Sequence, residues 1–374
     1  MTSLDNTRAS GGGVHEETIA RAEPDEAHSS TPDRSHDPRV RGEAGTLMTE
    51  LVAIDVGGTH ARFALATISA DGAIALGEPV TLQTSDHVSL QTAWEEFDRR
   101  YDHPIPRAAA IAIAGPVTGE VVRMTNNSWV LHTGALDEQL GLDKVTVIND
   151  FGAVAHAVAR APEDQLVHIT GPEIPLPDHG TVSVIGPGTG LGVAHFHRHP
   201  GGYHVQATEG GHMEFAPLDA IDDWMLARLR QRHLRVSTER VHSGPGIREI
   251  YGAIAFLEKR EAEPLDDRTI WQRGIAREDS LCAAAVDRFC HSLGSLVGDY
   301  ALAHGASAVV LAGGLGLRLR EVLPQSAFGE RFRFKGRYTQ MMSGIPVKLI
   351  THPQPGLYGA AAAFANEHLG ENRS

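Results

Sequence analysis

The 374-residue sequence predicts an α/β protein of two halves that face each other across a cleft. Three observations predict it. Two glycine-rich turns, Asp55-Val-Gly57-Gly58-Thr59 and Gly186-Pro-Gly188-Thr189-Gly190-Leu-Gly192, each follow a short apolar run. Short apolar runs alternate with stretches of helical periodicity in both halves, the pattern of strands joined by crossover helices. Between the two turns, Val147-Ile148-Asn149-Asp150 reads as a strand ending on a carboxylate.

Residues 1–47 stand apart. They are rich in Asp, Glu, Arg, Ser, Pro and Gly and contain no aromatic residue, a composition that buries too little apolar surface to fold. They are expected to be a disordered extension, with His15, His28 and His36 as scattered solvated side chains. A small α/β domain is expected over 48–160 together with 352–374. It opens with strands at 51–56, 62–68 and 73–82. Residues 88–100 carry Leu90, Trp94, Phe97 and Tyr101 at helical spacing. Strands at 108–114 and 145–149 and helices at 134–141 and 151–160 follow.

A large α/β domain is expected over 161–351. Strands at 182–185 and 193–196 flank the second glycine turn, and helices are predicted at 219–232, 246–259, 268–275 and 279–304. In the last of these, Leu281, Ala285, Phe289, Leu293, Leu296 and Tyr300 form one apolar stripe, and Gly305 is placed to cap its end. Gly294 and Gly298 on the same helix predict close approach of a neighbour. A strand at 309–311 runs into Ala312-Gly313-Gly314, and a strand at 347–350 and an Ala-rich helix at 356–369 close the chain. Each half thus begins strand, glycine turn, strand. Duplicated halves around an interdomain cleft describe the two-domain actin-like ATPase and sugar-kinase architecture (ribonuclease H-like).

The turns point to phosphate. Glycine lets backbone N–H groups approach an anion closely, and successive N–H groups in such a turn form a concave anion site. Thr59 and Thr189 add hydroxyl donors, and Asp55 ends the first strand, where a carboxylate is suited to hold Mg²⁺ directly or through water. A single Gly-Gly pair is more often a plain hairpin turn; the Asp-x-Gly-Gly-Thr string with a second turn of the same type favours nucleotide. No Gly-Lys-Ser/Thr occurs, so the chain is not a P-loop protein, and glycines at 186, 188, 190 and 192 do not fit the dinucleotide spacing.

A formal net charge of −14 repels nucleic acid and anionic membranes, so neither is an expected partner. It repels ATP too, which leaves binding to local N–H groups, cations and Mg²⁺. The two cysteines, Cys282 and Cys290, lie on one predicted helix, roughly 12 Å apart along its axis and beyond disulfide reach. Reduced thiols in the cytoplasm are expected. No apolar run spans a bilayer and the N-terminus has no signal-peptide core.

Polar residues suited to a sugar gather downstream. They are Thr125-Asn126-Asn-Ser-Trp, Asn149-Asp150, Glu209-Gly-Gly-His212 and Glu239-Arg-Val-His242-Ser-Gly-Pro-Gly. Sugar hydroxyls both donate and accept, which Asn, Asp, Glu and His satisfy. One carboxylate must take the hydroxyl proton as a phosphoryl group arrives, and Asp150 is the choice because its strand lies between the two turns. The plainer reading of Asp150 is a helix N-cap, and that of Glu209 to His212 a tight turn with a solvated Glu. Metal binding by His204, Glu209, His212 and Glu214 ranks far behind, since no His-Glu-x-x-His helix is present.

Taken in order, Asp55-Val-Gly-Gly-Thr-His-Ala-Arg, Ala114-Gly-Pro-Val, Thr125-Asn-Asn-Ser-Trp, Ile148-Asn-Asp-Phe, Gly186-Pro-Gly-Thr-Gly-Leu-Gly, Glu209-Gly-Gly-His, Glu239-Arg-Val-His-Ser-Gly-Pro-Gly, Gly313-Gly314 and Pro355-Gly-Leu resemble the bacterial glucokinase family over 50–370. The resemblance implies two actin-like α/β domains, usually as a cytoplasmic homodimer. It implies transfer of the ATP γ-phosphoryl group, with Mg²⁺, to the 6-hydroxyl of glucose, the opening step of glycolysis. It implies Asp150 as catalytic base and Asn126, Asn149, Asp150, Glu209, His212 and Glu239 as sugar contacts, with Asn126 the least secure. Asp55, Gly57, Gly58, Thr59, Gly188, Thr189 and Gly190 are implied around the phosphates and Gly313 and Gly314 at the adenosine. The related ROK sugar kinases carry a cysteine-rich zinc motif that two cysteines on one helix do not supply. The resemblance is therefore to the zinc-free branch, with no metal held by side chains except Asp55 to Mg²⁺ through water. A nucleotide-driven switch protein, a sugar-responsive transcription factor and kinases of other hexoses are the alternative readings.

Overall fold

The computed structural model describes residues 39–41, 47–124 and 127–370. The first half contains β1 (Arg39–Arg41), β2 (Leu47–Val56), β3 (His60–Ser69), β4 (Ile74–Leu76), β5 (Val80–Gln83), α1 (Leu90–Asp98), β6 (Ala108–Ile113), β7 (Val121–Arg123), β8 (Val130–His132), α2 (Leu136–Leu140), β9 (Lys144–Asn149) and α3 (Asp150–Arg160). The second contains β10 (Leu166–Thr170), β11 (Gly180–Pro187), β12 (Leu191–His199), β13 (Gly202–Thr208), α4 (Ala220–Arg230), α5 (Ile247–Leu257), α6 (Asp267–Ile275) and α7 (Ser280–His304). It ends with β14 (Ala306–Leu311), α8 (Gly313–Arg318), α9 (Phe328–Arg333), α10 (Thr339–Ser343), β15 (Val347–Ile350) and α11 (Pro355–His368).

One sheet runs β4-β3-β2-β6-β9, with β1 on β2 and β5 on β3; the other runs β10-β15-β14-β11-β12-β13. β2 pairs antiparallel with β3 and parallel with β6, and β6 pairs parallel with β9. β11 pairs antiparallel with β12 and parallel with β14, and β14 pairs parallel with β15. The two sheets share one plan: a hairpin closed by a glycine turn, then two parallel strands beyond its first strand. The duplication expected from the order of motifs is a duplication of topology.

Both sheets are covered on both faces, which is why their central strands are continuously apolar rather than alternating. The pleat still sorts the side chains. Val52, Ile54, Val56, Ala109, Ile111 and Ile113 turn to a core that includes Trp94 and Phe97 of α1 and Leu136 and Leu140 of α2. Leu51, Ala53, Ala108, Ala110 and Ala112 turn to the opposite core with α11. That face is built of alanines, which lets the Ala-rich helix come close. The second sheet repeats the arrangement. Ile185, Val309, Leu311, Val347 and Leu349 face the helical layer with Phe289 and Leu293 of α7, while Val182, Val184, Ala308 and Val310 face Ala155, Ala157 and Val158 of α3.

The chain crosses from the first sheet to the second through α3 and returns from β15 through α11. The two helices touch backbone to backbone: a Cβ on Gly359 would overlap the Ala153 carbonyl. On α7, a Cβ at Gly294 would meet the Phe328 carbonyl and one at Gly298 the Phe332 carbonyl at 2.6 Å, so these glycines seat α9 as expected. Gly305 caps α7 in the left-handed conformation, φ 59°. Cys282 and Cys290 are free and buried on α7.

The structure departs from the sequence reading at several elements. β1 pairs with β2 in the register Arg39↔Thr49, Val40↔Met48 and Arg41↔Leu47, inside the segment 1–47 expected to stay unfolded. A ladder needs only backbone groups, so it extends past the point where apolar side chains run out. Residues 1–38 and 42–46 lie outside the described residues. The single third strand expected at 73–82 is two, β4 and β5, both on β3. The strands β8, β10 and β13 and the short helices α8 to α10 are not part of the sequence reading, while β7 falls on the strand-like stretch before Thr125. No helix among the described residues is long and apolar enough to cross a membrane.

Substituting Gly359 by valine forces α3 and α11 apart. The expected result is a loss of about 3 kcal/mol or more in unfolding free energy, read by urea titration; a loss below about 1 kcal/mol contradicts the close contact.

Candidate active site

β9 ends on Asn149 and α3 begins on Asp150, at the C-terminal edge of the parallel strands where open α/β sheets bind ligands. The junction is held by the Asn149 amide. Its Oδ1 accepts the N–H groups of Phe151 and Gly152, each at 2.9 Å, and its Nδ2 donates to the Gly115 carbonyl at 2.9 Å. Asn149, not Asp150, therefore caps the helix. Asp150 is its first residue, and its Oδ1 takes the Phe151 N–H at 2.8 Å. The plain capping explanation thus belongs to the neighbour, and the Asp150 carboxylate remains to be explained.

Phe151 ties this junction to the second glycine turn. Gly186 and Gly192 face each other across the β11–β12 hairpin. A Cβ on Gly186 would lie 2.5 Å from the Phe151 ring, and one on Gly192 would overlap it. The missing side chains form the slot that receives the ring. Two of the four glycines read from sequence as a phosphate motif are therefore there for packing.

Peptide planarity aims the N–H groups of both turns. In the first, the Thr84 hydroxyl donates to the Gly58 carbonyl at 2.9 Å and the Thr84 N–H to the Thr59 carbonyl at 3.0 Å. With the Gly58 carbonyl turned inward, the Thr59 N–H of the same peptide points outward. In the second, the Gly244 N–H donates to the Gly188 carbonyl at 2.7 Å, which turns the Thr189 N–H away in the same manner. The Trp271 indole N–H holds the Gly244 carbonyl at 2.8 Å. The Thr59 and Thr189 side chains are exposed at the tips.

A cavity of about 630 Å³ gathers Asp55, Arg62, Asp150, Gly188, Thr189, Gly190, Glu239, Gly313 and Gly314. Leu317 and the segment His352 to Gly356 complete its wall. Gly313 has φ 82°, and a Cβ there would lie 2.8 Å from the Pro187 carbonyl, so only glycine lets α8 start against the second turn. Asn149 and Glu209 line a second cavity of about 390 Å³, with Thr118, Gln206 and Thr208. His212 lines neither; it is exposed at the end of the 3₁₀ turn Gly210–His212. Gly57, Gly58 and Thr59 sit at the β2–β3 turn just beyond Asp55 rather than in the cavity wall. Asn126 lies outside the described residues.

The turn after Glu209 is pressed onto β12. A Cβ on Gly211 would overlap the Leu191 carbonyl, and one on Gly210 would come within 2.9 Å of Val193. The Tyr300 hydroxyl of α7 donates to the Gly210 carbonyl at 2.6 Å. Leu191 is shared, because its N–H donates to the Glu239 carboxylate at 2.9 Å. Glu209, Glu239 and the second turn are thus assembled around one residue.

Burial pushes the Asp150 carboxyl up to about 6, helped by the charges of Asp55 and Glu209 and opposed by the Phe151 N–H. Asp55 is raised as well by burial, against the lowering pull of Arg62, whose Nη1 lies 3.2 Å from Asp55 Oδ2. A carboxyl that titrates near neutrality at a cleft is suited to proton transfer. Among the described residues no group of three or more His, Cys, Asp and Glu side chains is gathered to hold a metal ion.

Residues 51–367 match the family model described as glucokinase. The chain belongs to the glucokinase family. It is 56% identical to the glucokinase of Zymomonas mobilis over 319 residues, spanning 85% of this chain and 98% of that one. It is 39% identical to the glucokinase of Yersinia pestis over 328 residues, 87% of this chain and 98% of the relative. The solved glucokinase of an Antarctic psychrotroph superposes with a TM-score of 0.76 at 35% identity, covering 85% of this chain and 99% of that chain. The fold is accordingly the two-lobed actin-like ATPase and sugar-kinase fold. Relative to the glucokinase motifs, the sequence reading missed Arg62 as the partner of Asp55, the Phe151 slot and Tyr300. Arg62 was visible as the end of the Asp55 motif; the other two follow only from tertiary contacts.

Filling the slot tests the coupling. Gly192→Val is expected to expel the Phe151 ring and lower turnover at least tenfold while the protein still melts cooperatively; near-parental turnover contradicts the coupling.

Proposed function

We propose that this member of the glucokinase family is an ATP-dependent glucokinase that phosphorylates the 6-hydroxyl of D-glucose, with Asp150 as general base. The observation that carries the reading is the single cavity in which Asp150 shares walls with Asp55, the second glycine turn, Glu239 and Gly313-Gly314. A proton acceptor and an anion-binding turn in one cleft are what phosphoryl transfer to a hydroxyl requires.

In this reading glucose lies between the two cavities, against Asn149, Glu209, His212 and Glu239. Asn126 belongs to the same proposed set. Asn149 gives its Oδ1 to the start of α3 and one amide hydrogen to Gly115, which leaves one N–H for a sugar oxygen. The outward N–H groups and hydroxyls of Thr59 and Thr189, with Gly57, Gly58, Gly188 and Gly190, receive the phosphates, and Gly313 and Gly314 lie along the adenosine. Mg²⁺ bound with ATP would neutralise charge on the phosphates, and Asp55, a partly buried carboxylate, would hold it through water. The chain's own part is to align the hydroxyl, take its proton on Asp150 and exclude water, itself a competing acceptor, as the two lobes close. A cytoplasmic location, supported by the free buried thiols, and a homodimer, supported by the family resemblance, are part of the same proposal.

Asp150→Ala is expected to lose about 10³-fold or more in kcat while still binding glucose by calorimetry. Turnover within tenfold of the parent protein would sink the assignment. The pH profile carries a signed consequence. Because the base must be ionised, kcat falls as pH drops through about 6. Asp55→Asn removes a charge that raises this carboxyl and so moves the acid limb to lower pH, whatever it does to the maximal rate. Glu209→Gln also lowers the limb and raises the glucose KM; an unchanged KM argues against a sugar contact. The coupled assay is run across a panel of hexoses, and preference for another hexose over glucose redirects the substrate assignment.

A further inference from the structure

Glu239 sits on a single 3₁₀ turn, Thr238–Arg240, with its carboxylate committed on one side to the Leu191 N–H. A group that ties this turn to α7 is buried behind it. His242, 3% exposed, lies between Thr238 and Ser292 of α7. Its Nδ1 is 3.1 Å from the Thr238 carbonyl and 2.9 Å from the Thr238 hydroxyl, and its Nε2 is 3.2 Å from Ser292 Oγ. A neutral imidazole has one donor and one acceptor nitrogen, and either tautomer links Thr238 on the Nδ1 side to Ser292 on the Nε2 side. Burial pushes the imidazole down to about 4, so the ring is neutral at pH 7 and keeps one donor and one acceptor.

Backbone bonds secure the start of the turn, the Thr238 N–H to the Met213 carbonyl at 2.7 Å and the His242 N–H to the Thr238 carbonyl at 2.9 Å, and the imidazole adds a side-chain tie from the turn to α7. A cavity of about 220 Å³ lies against the same group, lined by Phe215, Thr238, His242, Ser292 and Tyr300 among others. Phe215 and Phe289 flank the imidazole with centroids at 5.9 and 6.2 Å, and the cavity lies beside it.

We propose that His242 is a positioning residue for Glu239: it ties Thr238 to Ser292 of α7 and so fixes the carboxylate that lies between the sugar and the second glycine turn. The inference rests on the reading of Glu239 as a sugar contact. It makes a distinctive claim. Because Glu239 also holds the Leu191 N–H, a displaced turn weakens glucose and ATP together, whereas a defect confined to the sugar pocket weakens glucose alone.

The test uses the full chain and four variants: His242→Leu, His242→Gln, Glu239→Gln and the pair Glu239→Gln with His242→Leu. His242→Leu is expected to raise the glucose KM about tenfold and the ATP KM several-fold, with kcat within about threefold. His242→Gln, which keeps a donor and an acceptor, is expected to recover most of the loss. In the Glu239→Gln background, His242→Leu is expected to add less than about twofold, because its effect runs through that carboxylate. A folded His242→Leu protein with both KM values within twofold of the parent overturns the proposal, as does an undiminished effect in the Glu239→Gln background. Should His242→Leu fail to fold, Ser292→Ala removes the outer hydrogen bond to the imidazole, along with the hydroxyl's 3.3 Å bond to the Phe289 carbonyl within α7. A two- to threefold rise in both KM values then supports the proposal and no change overturns it. A normal glucose KM in Glu239→Gln defeats the reading of Glu239 itself, whereas a raised KM there with a normal His242→Leu defeats only the positioning role.

Discussion

The start of α3 is the constraint on which the rest of the site depends. Three hydrogen bonds from one amide, Asn149, stop β9, begin the helix and fasten both to Gly115. The next residue, Asp150, therefore has a fixed backbone and a side chain directed into the cleft. The residue after that, Phe151, enters the slot between Gly186 and Gly192. Three consecutive residues thereby set strand end, carboxylate and contact with the opposite lobe. The register of the second glycine turn relative to Asp150 follows from the fit of one ring.

Electrostatics at this point works against the protein's overall charge. A chain of net charge −14 has no long-range attraction for a nucleotide. Local geometry must supply it, through carbonyls pulled inward by Thr84 and Gly244 so that the opposite N–H groups face out. The acidic surroundings have a use nonetheless. Burial, with Asp55 and Glu209 close by, lifts the Asp150 carboxyl toward the range where proton transfer is efficient. A residue that is one of several carboxylates in the sequence becomes distinct only through its neighbours in space.

The helical layer of the second lobe works as a support for the sugar side. α7 reaches the Glu209 turn through Tyr300 and the Glu239 turn through Ser292 and His242. Both turns meet at Leu191, directly after the second glycine turn. Segments far apart in sequence are in this way held in one frame, and the frame is a single 25-residue helix.

The strands at the centre of both sheets, the helix 279–304 with its tight-packing glycines, and the two glycine turns were legible in the sequence, because apolar periodicity and glycine spacing are local properties. β10, β13 and β8 were missed, although Tyr203, Val205 and Ala207 do alternate with His204, Gln206 and Thr208 in β13; a single short run of this kind next to a glycine pair is easily passed over as a loop. Of the site, the residue types and their order were legible: Asp150 beside Asn149, Glu209 with His212, Glu239. What they do locally was not. That Asn149 rather than Asp150 caps α3, that Gly186 and Gly192 serve Phe151, and that His212 lines neither cavity were decided by tertiary structure. The physical reason is that a motif records which groups are present, whereas the Asn149–Gly115 tie, the slot and the cavity join chain segments 34 or more residues apart, which only the packed sheets and helices bring together.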